Sequence, residues 1–313
     1  MDNFFKVPIS EILLLPGIKT LSGFEELQNI MTEIRGLIKP HLVSHKKTLD
    51  PDNIRDFMDL YLTEIQNTTD SKSTMYGKKG EANLINAFVD LFLGGIETTS
   101  STLLWAILIL VHFPGKNHEK KVNLLISCFI GFLECQTKMV EEIKHVVGND
   151  RLPSLEDKNE LNYTNSFIHE AMRYTTFTPL SMFQQSTDEI LYKGYKLPKD
   201  TFLVQSLFHV MRDPDYWSQP NSFNPDRFLQ NGKFVPDDRV VPFGMGKRIC
   251  LAKSLAEKEF FVFFTTLIAT FSFEKVPGEE LPSMEIEKVP VLGLLRSCPM
   301  FNVIMKVRGS HSH

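Results

Sequence analysis

The stretch VPFGMGKRICLAKSLAEKEF, residues 241–260, decides how this chain is interpreted. It places Cys250 behind two glycines and two basic residues, just ahead of a long helix predicted from about residue 252 to 272. Gly244 and Gly246 allow a tight loop and a close approach of the backbone to a flat ligand. The following helix points its N-terminus at the sulfur, and its N–H groups and dipole favour the thiolate over the thiol.

A thiolate at Cys250 could act as a nucleophile or as a metal ligand. A nucleophile would need a nearby histidine as a base, and a sequence does not show spatial neighbours, so the residues alone leave both roles open. A buried core thiol is the plainest alternative. The surroundings argue against it, because Lys247 adds positive charge and Arg248 can meet an anionic group on a ligand.

The pattern Phe243-x-x-Gly246-x-Arg248-x-Cys250-x-Ala252 resembles the haem-binding loop of cytochromes P450. The resemblance implies haem b (iron protoporphyrin IX) as the cofactor and Cys250 as its proximal metal ligand. Thiolate ligation pushes electron density onto the iron and favours O–O cleavage. By the same resemblance, Arg248 pairs with a haem propionate and Phe243 packs near the sulfur.

A second motif lies in the most apolar part of the chain, residues 81–113. We predict a helix buried in a large protein core there and not a membrane span, because Asp90 and Glu97 interrupt the run. The adjacent glycines of GGIETT, residues 94–99, lower helix stability, and they either admit another helix or leave room for a small ligand. The motif resembles the distal helix of cytochromes P450, which implies Glu97 and Thr98 as the proton-delivery residues.

A third motif pairs Glu170 with Arg173 in HEAMRY, three residues apart on one face of a predicted helix. Alone, this spacing is typical of a solvated ion pair. With Arg227 in the later FNPDRF, it is similar to the P450 triad that fixes the cysteine loop. A buried carboxylate with two guanidinium groups needs dense hydrogen bonding, so the resemblance implies a structural role for all three.

The pattern of the whole chain predicts a mainly α protein with minor β structure and a cytochrome P450-like fold, N-terminally truncated. The predicted elements are helices in residues 20–66, the second starting at an Asp50-Pro51 cap signal, an exposed loop at 67–80, two helices in 136–174, short strands in 187–208 and a β-hairpin in the tail 288–308.

The resemblance predicts one partial P450 domain, residues 1–308, that starts where a sixth or seventh helix of the family would lie. We therefore expect the membrane anchor, the early strands and the early helices to be missing, and we expect weak or no haem retention by the chain alone. Residues 115–135 are predicted to be an insertion, either an unspliced intron or a lineage-specific loop. Cys128 and Cys135 lie inside it and are given no role.

Composition limits the function classes. Hydrophobic residues make up 42% and charged residues 23%, as in soluble globular proteins, and a net charge of −4 gives no case for nucleic-acid binding. None of the four cysteines forms a CxxC pair, which disfavours a zinc site or a disulfide framework.

The resemblance implies a haem-thiolate monooxygenase that inserts one oxygen atom of O2 into a lipophilic small molecule. Electrons would come from NADPH through NADPH-cytochrome P450 reductase, with cytochrome b5 as a second candidate partner. SHKKTLDPDNIRDFMDLYLTEI resembles the animal microsomal P450s of the drug- and steroid-oxidising group, which implies the cytosolic face of the endoplasmic reticulum membrane. Substrate contacts are predicted at Phe88, Phe92, Gly94, Thr178, Leu180, Met182, Leu292 and Leu294.

Two other functions stay open from the sequence. The first is a catalytically inactive truncated P450 product that acts at most as a helical interaction protein. The second is a thiol enzyme that uses Cys250 with a histidine. Haem incorporation separates the main hypothesis from the first, and activity that depends on Cys250 without haem would support the second.

Overall fold

The structure, a computed structural model, describes residues 24–112, 135–291 and 295–309. The predicted insertion at 115–135, apart from Cys135, lies outside these residues, and so do Leu292 and Leu294. The chain divides into two compact units, Met1–Ile96 and Glu97–His313, which are described separately below.

The described residues are mainly helical, as the sequence predicts. The α-helices are α1 (Phe24–Thr48), α2 (Phe57–Asn67), α3 (Gly77–His112), α4 (Cys135–Val147), α5 (Asn162–Thr175), the short α6 (Leu207–Val210) and α7 (Lys253–Thr270). Single 3-10 turns lie at Leu155–Asn159, Pro225–Phe228, Gly246–Arg248 and Ile286–Lys288.

The first unit is built from α1, α2 and the N-terminal part of α3. Its core is a set of aliphatic and methionine side chains, two from each helix: Ile38, Leu42, Met58, Leu62, Leu84 and Val89. The predicted start of α2 at Asp50-Pro51 is wrong. Asp56 is the N-cap, and its carboxylate accepts hydrogen bonds from the N–H groups of Met58 and Asp59, because it directly precedes the apolar run that packs on α1.

The C-terminal part of α3 is the centre of the second unit. Every residue from Trp105 to Val111 is buried there, as predicted for a core helix. The middle of α3 differs from that prediction, since Leu91, Phe92, Leu93 and Ile96 are each more than a third exposed. By length and composition alone, α3 could also cross a membrane.

Aromatic rings join α5 and α7 in the core of the second unit. Phe167 of α5 stacks on Phe264 of α7 with ring centroids 5.3 Å apart, and it meets Phe223 edge-to-face at 5.2 Å. Pairs in these geometries add stability beyond the area that they bury. The effect is to hold α5, which carries the Glu170 motif, against α7, which follows the Cys250 loop.

The N-terminus of α5 is capped by a residue from another helix. Glu142 of α4 accepts hydrogen bonds from the N–H groups of Tyr163 and Thr164, at 2.7 and 2.8 Å, and from the Thr164 hydroxyl at 2.7 Å. The carboxylate satisfies N–H groups that have no partner inside the helix, and its negative charge suits the positive end of the helix dipole.

The strands of the described residues form four antiparallel pairs. They are β1 (Gln184–Gln185) with β4 (Phe202–Leu203), β2 (Ile190–Tyr192) with β3 (Tyr195–Leu197), β5 (Leu229–Gln230) with β6 (Lys233–Phe234), and β7 (Phe271–Lys275) with β8 (Val303–Val307). The hairpin predicted in the tail is wrong within the described residues. The tail strand β8 pairs with β7, the strand that directly follows α7, with Phe273 opposite Met305.

His169 of α5 makes stability depend on pH. Its Nε2 accepts a hydrogen bond from the N–H of Asp237 at 3.2 Å, and its ring lies edge-on to Phe228 and Phe234. Burial lowers the pKa of His169 from 6.5 to about 4. The folded chain therefore keeps this imidazole neutral at a pH where the unfolded chain protonates it.

We expect acidification from pH 7 to pH 5 to reduce the free energy of unfolding by about 2 kcal/mol through His169. The unfolded state binds the extra proton, so this stability is present above pH 6.5 and is lost as the pH falls toward 4. Urea unfolding of wild type and His169→Gln measures it, since glutamine can accept the Asp237 bond and does not titrate. Equal pH slopes for the two proteins would contradict the assignment.

Candidate functional site

The Cys250 loop is a closed turn in which the backbone bonds to itself. The N–H of Cys250 donates to the carbonyl of Phe243 at 2.9 Å, and the N–H of Ile249 donates to the carbonyl of Gly246 at 3.2 Å. Gly244 and Gly246 have φ angles of +76° and +72°, a region that is strained for other residues. The two glycines are therefore needed for the turn that presents Cys250.

The side chains around the sulfur are exposed. Cys250 itself is exposed, and so are Met245, Ile249 and Leu251, the last at 95%. A Cβ added to Gly246 would meet no described atom within 4 Å. An apolar surface of this kind around an accessible thiol fits a flat, largely apolar group placed over it.

The charge beside the sulfur fits the same group. Arg248 is exposed and forms no ion pair with any carboxylate of the described residues. A guanidinium group without a protein partner can bind the carboxylate of a ligand through two parallel hydrogen bonds. Haem offers an apolar ring with carboxylates at one edge, so the residues present here fit it. The thiol-enzyme alternative would require a hydrogen bond between Cys250 and a histidine. The described part of the chain contains no such bond.

The Glu170 motif forms a buried ion-pair network. Arg173 donates to the Glu170 carboxylate through Nε at 2.6 Å and through a terminal nitrogen at 2.8 Å. Arg227 donates to the same carboxylate through Nε at 3.1 Å, and the N–H of Asn224 does so at 2.8 Å. Glu170 and Arg173 are fully buried. The structure thus brings together the three residues that the sequence singled out.

The two arginines of this network also hold the irregular segment before the cysteine loop. Arg173 donates to the carbonyls of Met211 and Pro220, and both Arg173 and Arg227 donate to that of Ser222. Both guanidinium groups also lie over the Trp217 ring, 5.3 and 6.0 Å from its centroid. One carboxylate and a set of main-chain carbonyls therefore satisfy two guanidinium groups, as a structural role requires.

Two further arginines, which the sequence analysis missed, cap the C-terminus of α5. Arg212 donates to the carbonyl of Tyr174 and, at 2.8 Å, to the hydroxyl of Thr176. Arg296 donates to the carbonyl of Thr175 at 3.2 Å. Burial lowers the pKa of Arg212 to about 10, and repulsion from Arg173 and Arg296 adds to the effect. Cations at this end of a helix meet the negative end of its dipole.

The motif on α3 runs from the end of the first unit into the second, and its Glu97 and Thr98 lie at the start of the second unit. Glu97 is exposed, and its carboxylate accepts a hydrogen bond from the hydroxyl of Ser297 at 3.2 Å. Thr98 is half-buried, and its carbonyl accepts from the Thr102 hydroxyl at 2.7 Å. A Cβ added to Gly95 would meet no described atom within 4 Å.

The predicted substrate contacts fall in different surroundings. In the second unit, Thr178 is half-buried, while Leu180 and Met182 are 39% and 64% exposed. In the first unit, the Phe88 ring packs edge-to-face on Phe57 at 5.7 Å, so it contributes to packing against α2. Phe92 and Gly94 are exposed.

Comparisons with known proteins match most of this chain. The family model named Cytochrome P450 matches residues 11–123 and 130–303, and the internal gap between the two matched ranges, 124–129, lies inside the predicted insertion. Cytochrome P450 2J5 of Mus musculus is 38% identical over 246 residues, which are 78% of this chain and 44% of the relative. Cytochrome P450 2U1 of Bos taurus is 32% identical over 315 residues, 98% of this chain and 53% of the relative.

A third relative has similar identity and coverage. Cytochrome P450 2L1 of Panulirus argus is 34% identical over 293 residues, 93% of this chain and 54% of the relative. The chain spans about half the length of the curated relatives it matches. The matched residues include the Cys250 loop, the Glu170 network and the α3 motif. The chain belongs to the cytochrome P450 family.

Proposed function

We propose that this chain carries the haem-thiolate centre of a monooxygenase that inserts one oxygen atom of O2 into a lipophilic small molecule. The Cys250 loop is the observation that carries this proposal. It combines an accessible thiol, an exposed apolar surface and an arginine that forms no ion pair with the described carboxylates, all within one glycine-dependent turn. Membership of the cytochrome P450 family supports the reaction class.

Each residue of the loop has a role in holding the cofactor. Cys250 binds the haem iron through its sulfur, and Arg248 binds a propionate. Phe243 packs near the sulfur, Gly246 lets the backbone approach the ring, and Ala252 leaves room at the start of α7. When bound with a thiolate ligand, haem supplies oxygen activation, since electron donation from sulfur favours O–O cleavage.

Proton delivery is assigned to α3. A carboxylate at Glu97 can take up a proton from solvent, because it is exposed, and the hydroxyl of the half-buried Thr98 can pass a proton on. Groups of this kind act as general acids when they lie within hydrogen-bonding reach of the reacting oxygen or are joined to it by one water. Glu97 and Thr98 therefore determine the amount of product formed per NADPH consumed.

The remaining roles are structural or concern the substrate. The network of Glu170, Arg173 and Arg227 acts as a scaffold and takes no part in chemistry. Apolar substrate contacts are assigned in the second unit to Thr178, Leu180 and Met182, which follow α5.

Partners and location follow from the family and are part of the proposal. Electrons come from NADPH through NADPH-cytochrome P450 reductase, with cytochrome b5 as a second donor. The protein works at the cytosolic face of the endoplasmic reticulum membrane, where lipophilic substrates collect. The identity of the relatives supports a membrane setting.

Isotope labelling tests the proposed reaction directly. The chain is produced with haem, then supplied with the reductase, NADPH, a panel of lipophilic compounds and ¹⁸O₂. We expect products that carry a single labelled oxygen atom, with the second atom recovered in water. Because the chain alone is expected to retain haem weakly, haem is supplied in excess throughout. Haem-loaded protein that consumes NADPH and never labels a product would contradict the proposal, and so would a chain that binds no haem even when haem is in excess.

Substitution of Thr98 tests the proton-delivery role. We expect Thr98→Ala to lower the product formed per NADPH consumed about tenfold, because positioned proton donors contribute factors of this size or more. Thr98→Ser, which keeps the hydroxyl, serves as the matched control and should retain most of the ratio. The measurement is product against NADPH at saturating substrate. An alanine variant with the wild-type ratio would remove Thr98 from the mechanism.

A further inference from the structure

Three hydrogen bonds join one face of α3 to a short stretch of the tail, Leu295–Cys298, which we call the tail clasp. The hydroxyl of Ser297 donates to the Glu97 carboxylate at 3.2 Å. The N–H of Cys298 donates to the Ser101 hydroxyl at 3.0 Å, and the Trp105 indole donates to the carbonyl of Arg296 at 3.0 Å.

The three helix positions, 97, 101 and 105, follow each other at intervals of four residues, so they share one face of α3. Ser101 and Trp105 are 4% and 0% exposed, which makes their two bonds the buried part of the clasp. The third bond, at Glu97, lies at the exposed end.

The tail clasp is also fixed from its other side. The N–H of Arg296 donates to the carbonyl of Phe177 at 2.7 Å, and its guanidinium group donates to the carbonyl of Thr175 at 3.2 Å. The Arg296 side chain is 5% exposed and lies over the Phe208 ring, 4.8 Å from its centroid. The backbone that carries Ser297 is therefore held between α3 and the C-terminus of α5.

Glu97 differs from the buried members of the clasp. An exposed glutamate on a helix surface samples many rotamers, and ordering it costs side-chain entropy. A hydroxyl on a fixed backbone stabilises one position of the carboxylate, because hydrogen bonds to charged groups are stronger than those between neutral groups. Ser297 is placed to supply this preference.

We propose that Ser297 is a positioning residue that orients the Glu97 carboxylate for proton transfer. This inference rests on the proposed function, in which Glu97 delivers protons. Ser297 acts through Glu97 and takes no part in the chemistry itself. The buried bonds of Ser101 and Trp105 hold the tail clasp in place. Because the backbone at Ser297 is fixed, its hydroxyl favours one orientation of the Glu97 carboxylate.

Coupling measurements test the role. We expect Ser297→Ala to lower product per NADPH about three- to tenfold, because misplacing a reacting group by about 1 Å can cost up to about 100-fold. The ratio of rates in H2O and D2O should rise, as proton transfer becomes slower. Ser297→Thr keeps the hydroxyl and should restore both values.

Ser272→Ala is the matched control. It removes a serine hydroxyl of the same unit that donates to the carbonyl of Lys306 at 3.4 Å and takes no part in the tail clasp. We expect it to leave the coupling ratio and the solvent isotope effect near wild type. The proposal is overturned if Ser297→Ala behaves as wild type, or if Ser272→Ala changes both values as much as Ser297→Ala does.

A double-mutant cycle tests the contact without haem. We expect Ser297→Ala to lower the folding equilibrium constant about threefold in the wild-type background and to have no effect in a Glu97→Ala background. Equal effects in the two backgrounds would overturn the contact. Urea unfolding of the haem-free chain needs no catalysis. A chain that binds no haem even in excess would overturn the proposed function, and the double-mutant cycle would still test the Ser297–Glu97 contact.

Discussion

Replacing Cys250 with alanine is expected to remove thiolate ligation from the haem-loaded chain completely. The reduced protein with carbon monoxide should lose its red-shifted thiolate Soret band, and monooxygenation should fall at least about 100-fold, since even outer-shell partners of a metal are worth about 10- to 100-fold. The reason is that the cysteine loop presents one sulfur to the cofactor, at the exposed end of a closed turn.

The other described cysteines cannot replace it. Burial raises the pKa of the half-buried Cys298 to about 12, so its thiol stays protonated at neutral pH. Cys135 is buried, and its sulfur accepts a hydrogen bond from the Tyr163 hydroxyl at 3.1 Å. Cys298→Ala is therefore the matched control and should keep the band. A band that survives in Cys250→Ala would contradict the assignment.

Replacing Glu170 with glutamine is expected to cost about 3–5 kcal/mol of folding free energy, because it leaves two guanidinium groups without their carboxylate in a buried site. Glutamine keeps the size of the side chain and removes its charge. It also places an amide donor where the carboxylate accepts bonds from Arg173 and Arg227. A loss of this size is a large share of the roughly 5–15 kcal/mol that stabilises a typical domain.

Urea unfolding of purified Glu170→Gln, or a fall in soluble yield if it cannot be purified, measures this effect. Lys196→Gln is the matched control, because it breaks an exposed ion pair with Glu189 that spans 3.0 Å. Exposed pairs contribute at most about 1 kcal/mol, so the control should unfold close to wild type. If Glu170→Gln and Lys196→Gln changed stability equally, the network would not be the scaffold that we describe.

The parts of the site that the sequence predicted are those encoded by short-range spacing. Glu170 and Arg173 are three residues apart, which puts both on one face of α5, and the structure shows their ion pair. The turn at Cys250 needs positive φ angles, and Gly244 and Gly246 are the residues that supply them. The mainly α fold could be predicted for the same reason, because helical periodicity is local, and the structure confirms it.

The parts that it missed depend on contacts between distant positions. Arg212 and Arg296 cap α5 from 38 and 121 residues away, and nothing in their local sequence marks them as helix caps. The structure shows that Thr176 ends α5 in the left-handed region at φ 42° without a glycine, which the sequence does not reveal. A helix end of that kind needs partners from elsewhere.

Strand pairing in the tail failed for the same reason. An alternating pattern predicts a strand and does not name its partner, and β8 pairs with β7, about 30 residues earlier, instead of forming a local hairpin. The start of α2 shows a different error. The sequence analysis chose Asp50-Pro51, whereas the N-cap is Asp56, because its carboxylate lies directly before the residues that pack on α1.

Iron K-edge X-ray absorption on the haem-loaded chain tests the central claim most directly, because it reports the atoms bonded to iron. We predict one sulfur neighbour in wild type and in Cys298→Ala, and none in Cys250→Ala. An iron site without sulfur in the wild-type chain, or a sulfur neighbour that persists in Cys250→Ala, would contradict the account.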